Sequence, residues 1–85
     1  MASPRKTKFE MAIVQKVAAI RQERGFSQKQ IADLLEVSKG FIGQVESTNS
    51  PSTYSVNHLN RLAFEFDCSP QDFIPTKPIE EKEWD

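Results

Sequence analysis

Residues 26–46, FSQKQIADLLEVSKGFIGQVE, constrain the fold more than any other part of the chain. Ser27 is a good helix N-cap, and Gln30 lies three residues later, at the spacing of a capping box. Apolar residues then recur at helical spacing, which predicts a short amphipathic helix. These apolar residues are Ile31, Leu34 and Leu35, with Ala32 on the same side.

A second short helix is predicted after a corner at residues 36 and 37. Ser38 is placed to cap this helix, which runs to about residue 46. At about 100° per residue, one side of the helix can pack and the other is small, polar and basic. The inward side holds Phe41, Ile42, Val45 and Glu46, and the outward side holds Lys39, Gly40, Gly43 and Gln44. Such an outward face suits insertion into a DNA groove.

This two-helix segment resembles the helix-turn-helix of the phage repressor and Cro family, the Xre-type regulators. The resemblance covers residues 13–74 and needs no gap through the two central helices. It implies an all-α fold, a compact five-helix repressor-like DNA-binding domain with a central helix-turn-helix. The residues that match the family pattern are Gln28, Ala32, Val37, Ile42, Val45 and Glu46.

The sequence departs from the family pattern at the corner, where Glu36 occupies a position that is usually glycine. A left-handed backbone at Glu36 costs roughly 1–2 kcal/mol that glycine avoids. We therefore expect a strained corner rather than a lost motif.

Length and charge limit the class of protein. The chain has 85 residues, which is room for one domain. It has no apolar leader, no stretch of membrane-spanning length and one cysteine, Cys68, so we expect a soluble, cytoplasmic protein. Residues 1–44 hold eight basic and four acidic residues, whereas residues 45–85 hold three basic and eight acidic ones. The half with the two-helix segment is basic, which favours DNA despite a net charge of −1.

The pattern divides the chain into three parts. Residues 1–7 are predicted to form a flexible basic arm, residues 8–74 the helix-turn-helix domain, and residues 75–85 an acidic tail. The arm either contacts a DNA backbone or minor groove or is a disordered start. The tail, PTKPIEEKEWD, is either disordered, or folded back or onto a partner through Ile79 and Trp84.

Three further helices are predicted around the central pair. The first covers residues 8–24, with Thr7 and Glu10 as a capping box and Gly25 at its end. The fourth covers residues 56–66 after Ser55, and a short fifth helix follows Ser69. The predicted core residues of these helices are Ile13, Val17, Ile20, Val56, Leu59, Leu62, Ala63, Phe66, Phe73 and Ile74.

One ion pair is implied only by the resemblance, and the contacts of two aromatic residues have more than one interpretation. The family pattern implies an ion pair between Arg21 and Glu46; the alternative is two unconnected surface charges. Tyr54, at the end of the Ser-, Thr- and Asn-rich loop at residues 47–54, either donates to a phosphate or packs over helix 4. Phe64 lies opposite the core stripe of helix 4 and is predicted to contact a second copy or the tail.

Particular roles are predicted for the residues that contact DNA. Gln28 begins helix 2, where its amide and free N–H groups point at a phosphate, and Lys29 adds charge. Gln44 is the best candidate for base readout, because a glutamine can bond bidentately to adenine. Phe41 is better explained by packing than by contact with a thymine methyl. The complete predicted set is Gln28, Lys29, Ser38, Lys39, Gly40, Phe41, Gly43, Gln44, Ser47, Asn49 and Tyr54.

The sequence therefore predicts sequence-specific binding to double-stranded DNA. The expected protein is a transcriptional repressor that acts as a homodimer on a palindromic operator, with residues 39–46 as recognition helix. The alternative is an antitoxin-like subunit that binds a protein partner through its tail and Trp84. No enzyme, cofactor or metal is expected, because His58 has no carboxylate or cysteine at triad or ligand spacing.

Overall fold

A computed structural model describes residues 5–84 of the chain. The helices are α1 at Lys8–Glu23, α2 at Gln28–Leu35, α3 at Lys39–Glu46 and α4 at Val56–Phe66, followed by a 3-10 turn at Pro70–Phe73. No β-strand occurs in this described part, so the prediction of an all-α fold is confirmed. The predicted fifth helix is only the four-residue 3-10 turn, and the five-helix count is not confirmed. None of the helices within residues 5–84 has the length and apolar character needed to cross a membrane.

Every element begins with a hydroxyl side chain that accepts a backbone hydrogen bond. This satisfies N–H groups that have no partner inside the helix. In every element except α3, the N-cap N–H in turn donates to the side chain of the third residue of the element, which completes a capping box. The boxes predicted at Thr7 and Ser27 are confirmed. The five N-caps are Thr7, Ser27, Ser38, Ser55 and Ser69.

The core lies where α1, α2, α3 and α4 meet, and the 3-10 turn covers one end of it. Phe73 is buried there, and its ring meets that of Phe66 edge-on with 6.3 Å between centroids. Phe26 approaches Phe66 from the corner between α1 and α2, at 5.2 Å. Edge-to-face pairs of this kind add to the free energy gained from apolar burial.

Two predicted core positions, Val56 and Ile74, are wrong, and a third, Ile13, is only partly buried. In α1, Val14 is buried, whereas its neighbour Ile13 is only partly buried. Since both residues are apolar, tertiary contacts decide between them, and the buried stripe runs through Val14, Val17 and Ile20. Val56, in the first turn of α4, is 83% exposed, and Ile74, just after the 3-10 turn, is 37% exposed.

Smaller deviations concern the ends and partners of the helices. α1 ends at Glu23 rather than residue 24, and Arg24 is its C-cap. Leu34 and Leu35 in α2 are only partly buried. His58 completes the capping box of α4 through its Nδ1 atom, which accepts the Ser55 N–H at 3.2 Å. Cys68 packs partly buried against the core.

The corner between α2 and α3 has the predicted left-handed conformation. Glu36 has φ 58° and ψ 43°, and its N–H donates to the carbonyls of Ala32 and Asp33. Asp67 adopts the same region after α4, at φ 57°. Aspartate is one of the residues that tolerate this region, whereas a glutamate side chain gains nothing there.

The two ends of the described chain are folded onto the domain. Lys6 donates to carbonyl oxygens in the last turn of α3 and in the loop that follows, so the prediction of a flexible arm does not hold at this residue. The tail is folded back onto the domain, which is one of the two predicted alternatives. The buried carboxylate of Glu81 accepts hydrogen bonds from two N–H groups of α1. The other parts of these predictions that concern residues 1–4 and 85 lie outside the described residues.

We predict that Glu36→Gly raises the free energy of unfolding by about 0.5–1 kcal/mol. Glycine removes the strain of a left-handed residue but makes the unfolded chain more flexible, which offsets part of the gain. Denaturant unfolding monitored by circular dichroism measures the change. Gly25→Ala is the matched control, because Gly25 has φ +80° and should lose stability on gaining a side chain. A loss of stability in Glu36→Gly would contradict the strained corner.

Candidate nucleic-acid interface

Helix α3 buries one side and exposes the other, as predicted. Ile42 and Val45 have no exposed surface and seat the helix on the core. The Ser38 hydroxyl accepts the Phe41 N–H at 2.9 Å and so starts the helix. On the opposite side the exposed or partly exposed residues are Lys39, Gly40, Gly43 and Gln44.

The two glycines of α3 are not required by the packing of the chain itself. A Cβ atom built on Gly43 meets nothing within 4 Å, and one on Gly40 meets only the Ser38 hydroxyl at 3.8 Å. Neither glycine has the positive φ that would favour glycine on conformational grounds. Because glycine inside a helix costs roughly 1 kcal/mol relative to alanine, the folded chain gains nothing from having it at these positions.

The end of α3 is held by the predicted ion pair between Arg21 and Glu46. Arg21 Nε donates to Glu46 Oε2 at 3.0 Å and Nη2 donates to Oε1 at 3.2 Å. Arg21 Nη1 also donates to the Phe26 carbonyl at 2.9 Å. The arginine is only 8% exposed. This planar, two-point geometry fixes the distance and the angle between α1 and the end of α3.

Gln28 takes part in the same network, which the sequence prediction missed. Its Nε2 atom donates to Glu46 Oε1 at 2.8 Å, so the side-chain amide links the start of α2 to the end of α3. The predicted contact of this amide with a phosphate would have to compete with that bond. The backbone N–H groups at the start of α2 still form the positive end of a helix dipole.

Lys29 lies on the surface of α2, one residue after Gln28. Its ammonium is 3.1 Å from Asp33 Oδ1, and both side chains are about two thirds exposed. An exposed pair at this spacing stabilises a helix only slightly. The lysine can therefore exchange Asp33 for a phosphate at small cost.

The loop after α3 is held by its own hydroxyls and by a lysine from the start of the chain. Ser47 Oγ accepts the N–H of the exposed Asn49 at 3.2 Å. Lys6 Nζ donates to the carbonyl oxygens of Ser47 and Ser50 at 2.6 Å each, and to that of Gln44 at 3.3 Å. The sequence of this loop contains no basic residue, but the fold places Lys6 beside it, 41 positions away from Ser47. The only sequence signal for it is a general excess of basic residues before α1.

The Lys6 ammonium is partly desolvated at this position. Burial lowers the pKa of Lys6, and the nearby Glu10 carboxylate partly opposes that change. The three carbonyl oxygens replace water around the charge, and those of Gln44 and Ser47 lie at the negative end of the α3 dipole. Lys6 therefore both caps α3 and places a cation beside the loop.

Tyr54 does not present its hydroxyl to a ligand, so its predicted contact with a phosphate is wrong. The residue is 7% exposed, and its buried hydroxyl oxygen has no hydrogen-bond partner. Burial raises the pKa of Tyr54, and the carboxylate of Glu46 raises it further. Its ring instead packs near His58 of α4, with 6.2 Å between centroids, which is the packing alternative.

The remaining predicted residues divide between packing and exposure. Phe41 packs partly buried against the core, and its ring lies edge-on to His58 at 6.2 Å, as the packing interpretation expects. Phe64 is 80% exposed on α4 and Trp84 is 60% exposed in the tail. Among residues 5–84, no group of three or more His, Cys, Asp or Glu side chains is arranged to hold a metal ion.

Comparisons with known proteins agree with this geometry. A family model described as helix-turn-helix, HTH_3, matches residues 17–73. A comparison with curated protein sequences gives no significant match.

Two solved structures share the fold. The N-terminal DNA-binding domain of SinR from Bacillus subtilis is similar at a TM-score of 0.61 and 24% identity, over 74% of this chain and 90% of that one. An HTH_3 family transcriptional regulator from Vibrio cholerae is similar at a TM-score of 0.61 and 29% identity, over 76% of this chain. The match spans 35% of the Vibrio protein. Since the family model covers more than half of this sequence, the chain belongs to the HTH_3 family of helix-turn-helix proteins, the phage repressor and Cro type, which bind DNA and regulate transcription.

Proposed function

We propose that this protein binds double-stranded DNA in a sequence-specific manner and represses transcription as a dimer on a palindromic operator. Helix α3 is the recognition helix and enters the major groove. Gln44 reads a base edge and Lys39 contacts a guanine or a phosphate. The start of α2, Lys29 and the loop at residues 47–50 contact the backbone and fix the register.

One observation carries this proposal: the outward face of α3 is left open although the helix is fixed everywhere else. Ser38 caps its start, Ile42 and Val45 anchor its middle, and Arg21 holds Glu46 at its end. The exposed side has two glycines whose missing side chains no other part of the described chain replaces. A rigid helix with a bare, polar edge is what close approach to base pairs requires.

A second copy of the chain is the proposed occupant of the exposed face of α4. Val56 and Phe64 are 83% and 80% exposed, and Ile74 lines the same shallow groove as Val56. The positions 56, 60 and 64 repeat every four residues, so they form one stripe along the helix. Large apolar side chains on one face commonly mark a protein interface.

The charges on this face favour self-association over binding to an acidic or basic partner. Arg61 is paired within the helix to Glu65, with Nε and Oε2 2.8 Å apart. Asn57 and Asn60 line the same groove, and an amide both donates and accepts hydrogen bonds. A surface without net charge and with self-complementary amides can meet its own copy across a two-fold axis.

The alternative function is an antitoxin-like subunit that binds a protein partner through the tail. The exposed indole of Trp84 favours it, whereas the anchoring of Glu81 on α1 counts against a free tail. Removing the tail would also remove Glu81, so Trp84→Ala is the sharper variant. Loss of a co-purifying partner without loss of DNA binding would support the tail as an interaction device.

We predict that Gln44→Ala weakens binding to a selected operator by about 1–3 kcal/mol and leaves binding to mixed-sequence DNA nearly unchanged. The reason is that the lost amide contacts a base and not a phosphate. Fluorescence anisotropy on both duplexes measures the two affinities. Ser52→Ala is the control, because Ser52 Oγ lies 3.5 Å from Gln44 Oε1 and its loss leaves the amide in place. Equal losses on both duplexes would refute base readout.

We predict that Gly43→Ala raises the free energy of unfolding by about 0.5–1 kcal/mol while it lowers the affinity for DNA. The methyl group meets nothing in the free protein but stands between the helix backbone and the groove. Unfolding curves and anisotropy titrations of one preparation report the two effects. An affinity that stays unchanged would mean that the backbone does not approach the DNA closely at this position.

We predict that Phe64→Lys weakens self-association about thirtyfold, because it removes an apolar anchor and places like charges across the two-fold axis. Sedimentation equilibrium measures the dimer constant, and binding to an operator with two half-sites should fall more than binding to one half-site. Trp84→Ala serves as control, since it removes an exposed aromatic residue that lies outside α4. A wild-type chain that stays monomeric at high concentration and on DNA would exclude the dimer.

A further inference from the structure

Glu81, in the C-terminal tail, is a buried acid that caps the first helix from a distance. Its residue is 6% exposed, Oε1 accepts the Lys8 N–H and Oε2 accepts the Phe9 N–H, both at 2.9 Å. The two partners are 73 and 72 positions away in sequence. The tail lies outside the segment that matches the family model, so this contact is an addition to the shared domain.

The contact accounts for a carboxylate that would otherwise be costly to bury. A buried charge is tolerated when hydrogen bonds and an opposite potential replace water. The first turn of a helix offers both, through free N–H groups and the positive end of its dipole. The Thr7 hydroxyl accepts the Glu10 N–H at 3.0 Å, and the Met11 N–H bonds within the chain to the Thr7 carbonyl at 2.9 Å. With Glu81 in place, each N–H of the first turn has a partner.

Lys6, the residue before the N-cap of α1, reaches the end of α3. Lys6 lies two positions before Lys8, and its ammonium holds the carbonyls of Ser47 and Ser50 at 2.6 Å. These carbonyls belong to the loop that follows α3. The short segment at residues 6–9 is thus fixed at one end by the tail and at the other by this loop.

We propose that the two chain ends form a clasp, made by Glu81 and Lys6, that sets the geometry of the loop at residues 47–50 and thereby the affinity for DNA. Lys6 is a positioning residue for the phosphate-facing loop, and Glu81 positions Lys6. The proposal rests on the proposed function, because the loop is taken to face the phosphate backbone. It extends that function from the shared domain to the ends of this particular chain.

Charge and geometry predict opposite effects of removing this acid, which makes the test sharp. Removing any acid from the tail reduces repulsion of DNA, so Glu80→Ala should bind a mixed-sequence duplex as well as wild type or slightly better. Glu81→Ala makes the same change of charge one residue away but frees the start of α1. We expect it to bind about fivefold more weakly than Glu80→Ala at low ionic strength. Equal affinities of the two variants would overturn the clasp.

Lys6→Met tests the other half and leaves the start of α1 untouched. We expect about a fivefold loss of affinity with an unchanged dependence on salt, because a positioning residue releases no counterion from DNA. A salt slope shallower by about one would instead make Lys6 a direct phosphate contact and overturn the positioning role. The double variant Lys6→Met with Glu81→Ala should be no weaker than the weaker single variant, since both act through one contact. Additive losses would show that the two residues act separately.

Hydrogen exchange separates the clasp from the DNA function. In Glu81→Ala and Lys6→Met, the amides of Asn49 and Ser52, which bond to loop hydroxyls, should exchange faster, whereas those of α4 should not. Glu80→Ala should leave both sets unchanged. If wild type bound no duplex but the loop amides responded in this way, the clasp would stand and the proposed function would fall. If wild type bound DNA and the loop amides did not respond, the reverse would hold. Should Glu81→Ala fail to fold, Lys6→Met still decides the outcome.

Discussion

The ion pair between Arg21 and Glu46 is the interaction on which the position of helix α3 depends. It joins α1, the corner before α2 and the end of α3 in one network, because Arg21 also donates to the Phe26 carbonyl and Gln28 donates to Glu46. Loss of either charged partner would leave the other buried and uncompensated, which typically costs several kcal/mol. The intact pair contributes less to stability than to the angle and position at which α3 is presented.

Because α3 is held at both ends and along its inner side, its outward face is not needed to hold the helix in place. Ser38 fixes the start of the helix, Glu46 and Lys6 fix its end, and Ile42 and Val45 attach it to the core. The helix then tolerates Gly40 and Gly43, which weaken it locally without any gain in packing. Residues that stabilise the helix and residues proposed to contact DNA are thereby separated, so changes on one face need not disturb the other.

Local signals in the sequence predicted local structure well, and tertiary contacts account for the failures. The capping boxes follow from residue types at short spacing. The left-handed Glu36 is expected from the family resemblance, in which this corner is usually glycine. The Arg21–Glu46 pair came from family resemblance rather than from periodicity. Val56 and Ile74 fit an apolar stripe but are exposed in the folded chain, so helical periodicity alone placed them wrongly in the core. The position of Tyr54 depended on the path of a loop, which residue spacing does not determine.

The largest gap between sequence and structure concerns charge. Counted along the chain, the tail is acidic and the loop after α3 has no base, which argues against strong binding of a phosphate backbone. In three dimensions, the carboxylate of Glu81 accepts two N–H groups of the first turn of α1, and Lys6 from the N-terminal end of the chain donates to the loop carbonyls. A phosphate responds to charges within about a Debye length, so the local arrangement of charged groups matters more than the net charge of −1. The proposed affinity of this surface for DNA therefore depends on the folded arrangement of these residues, which a count of residues does not reveal.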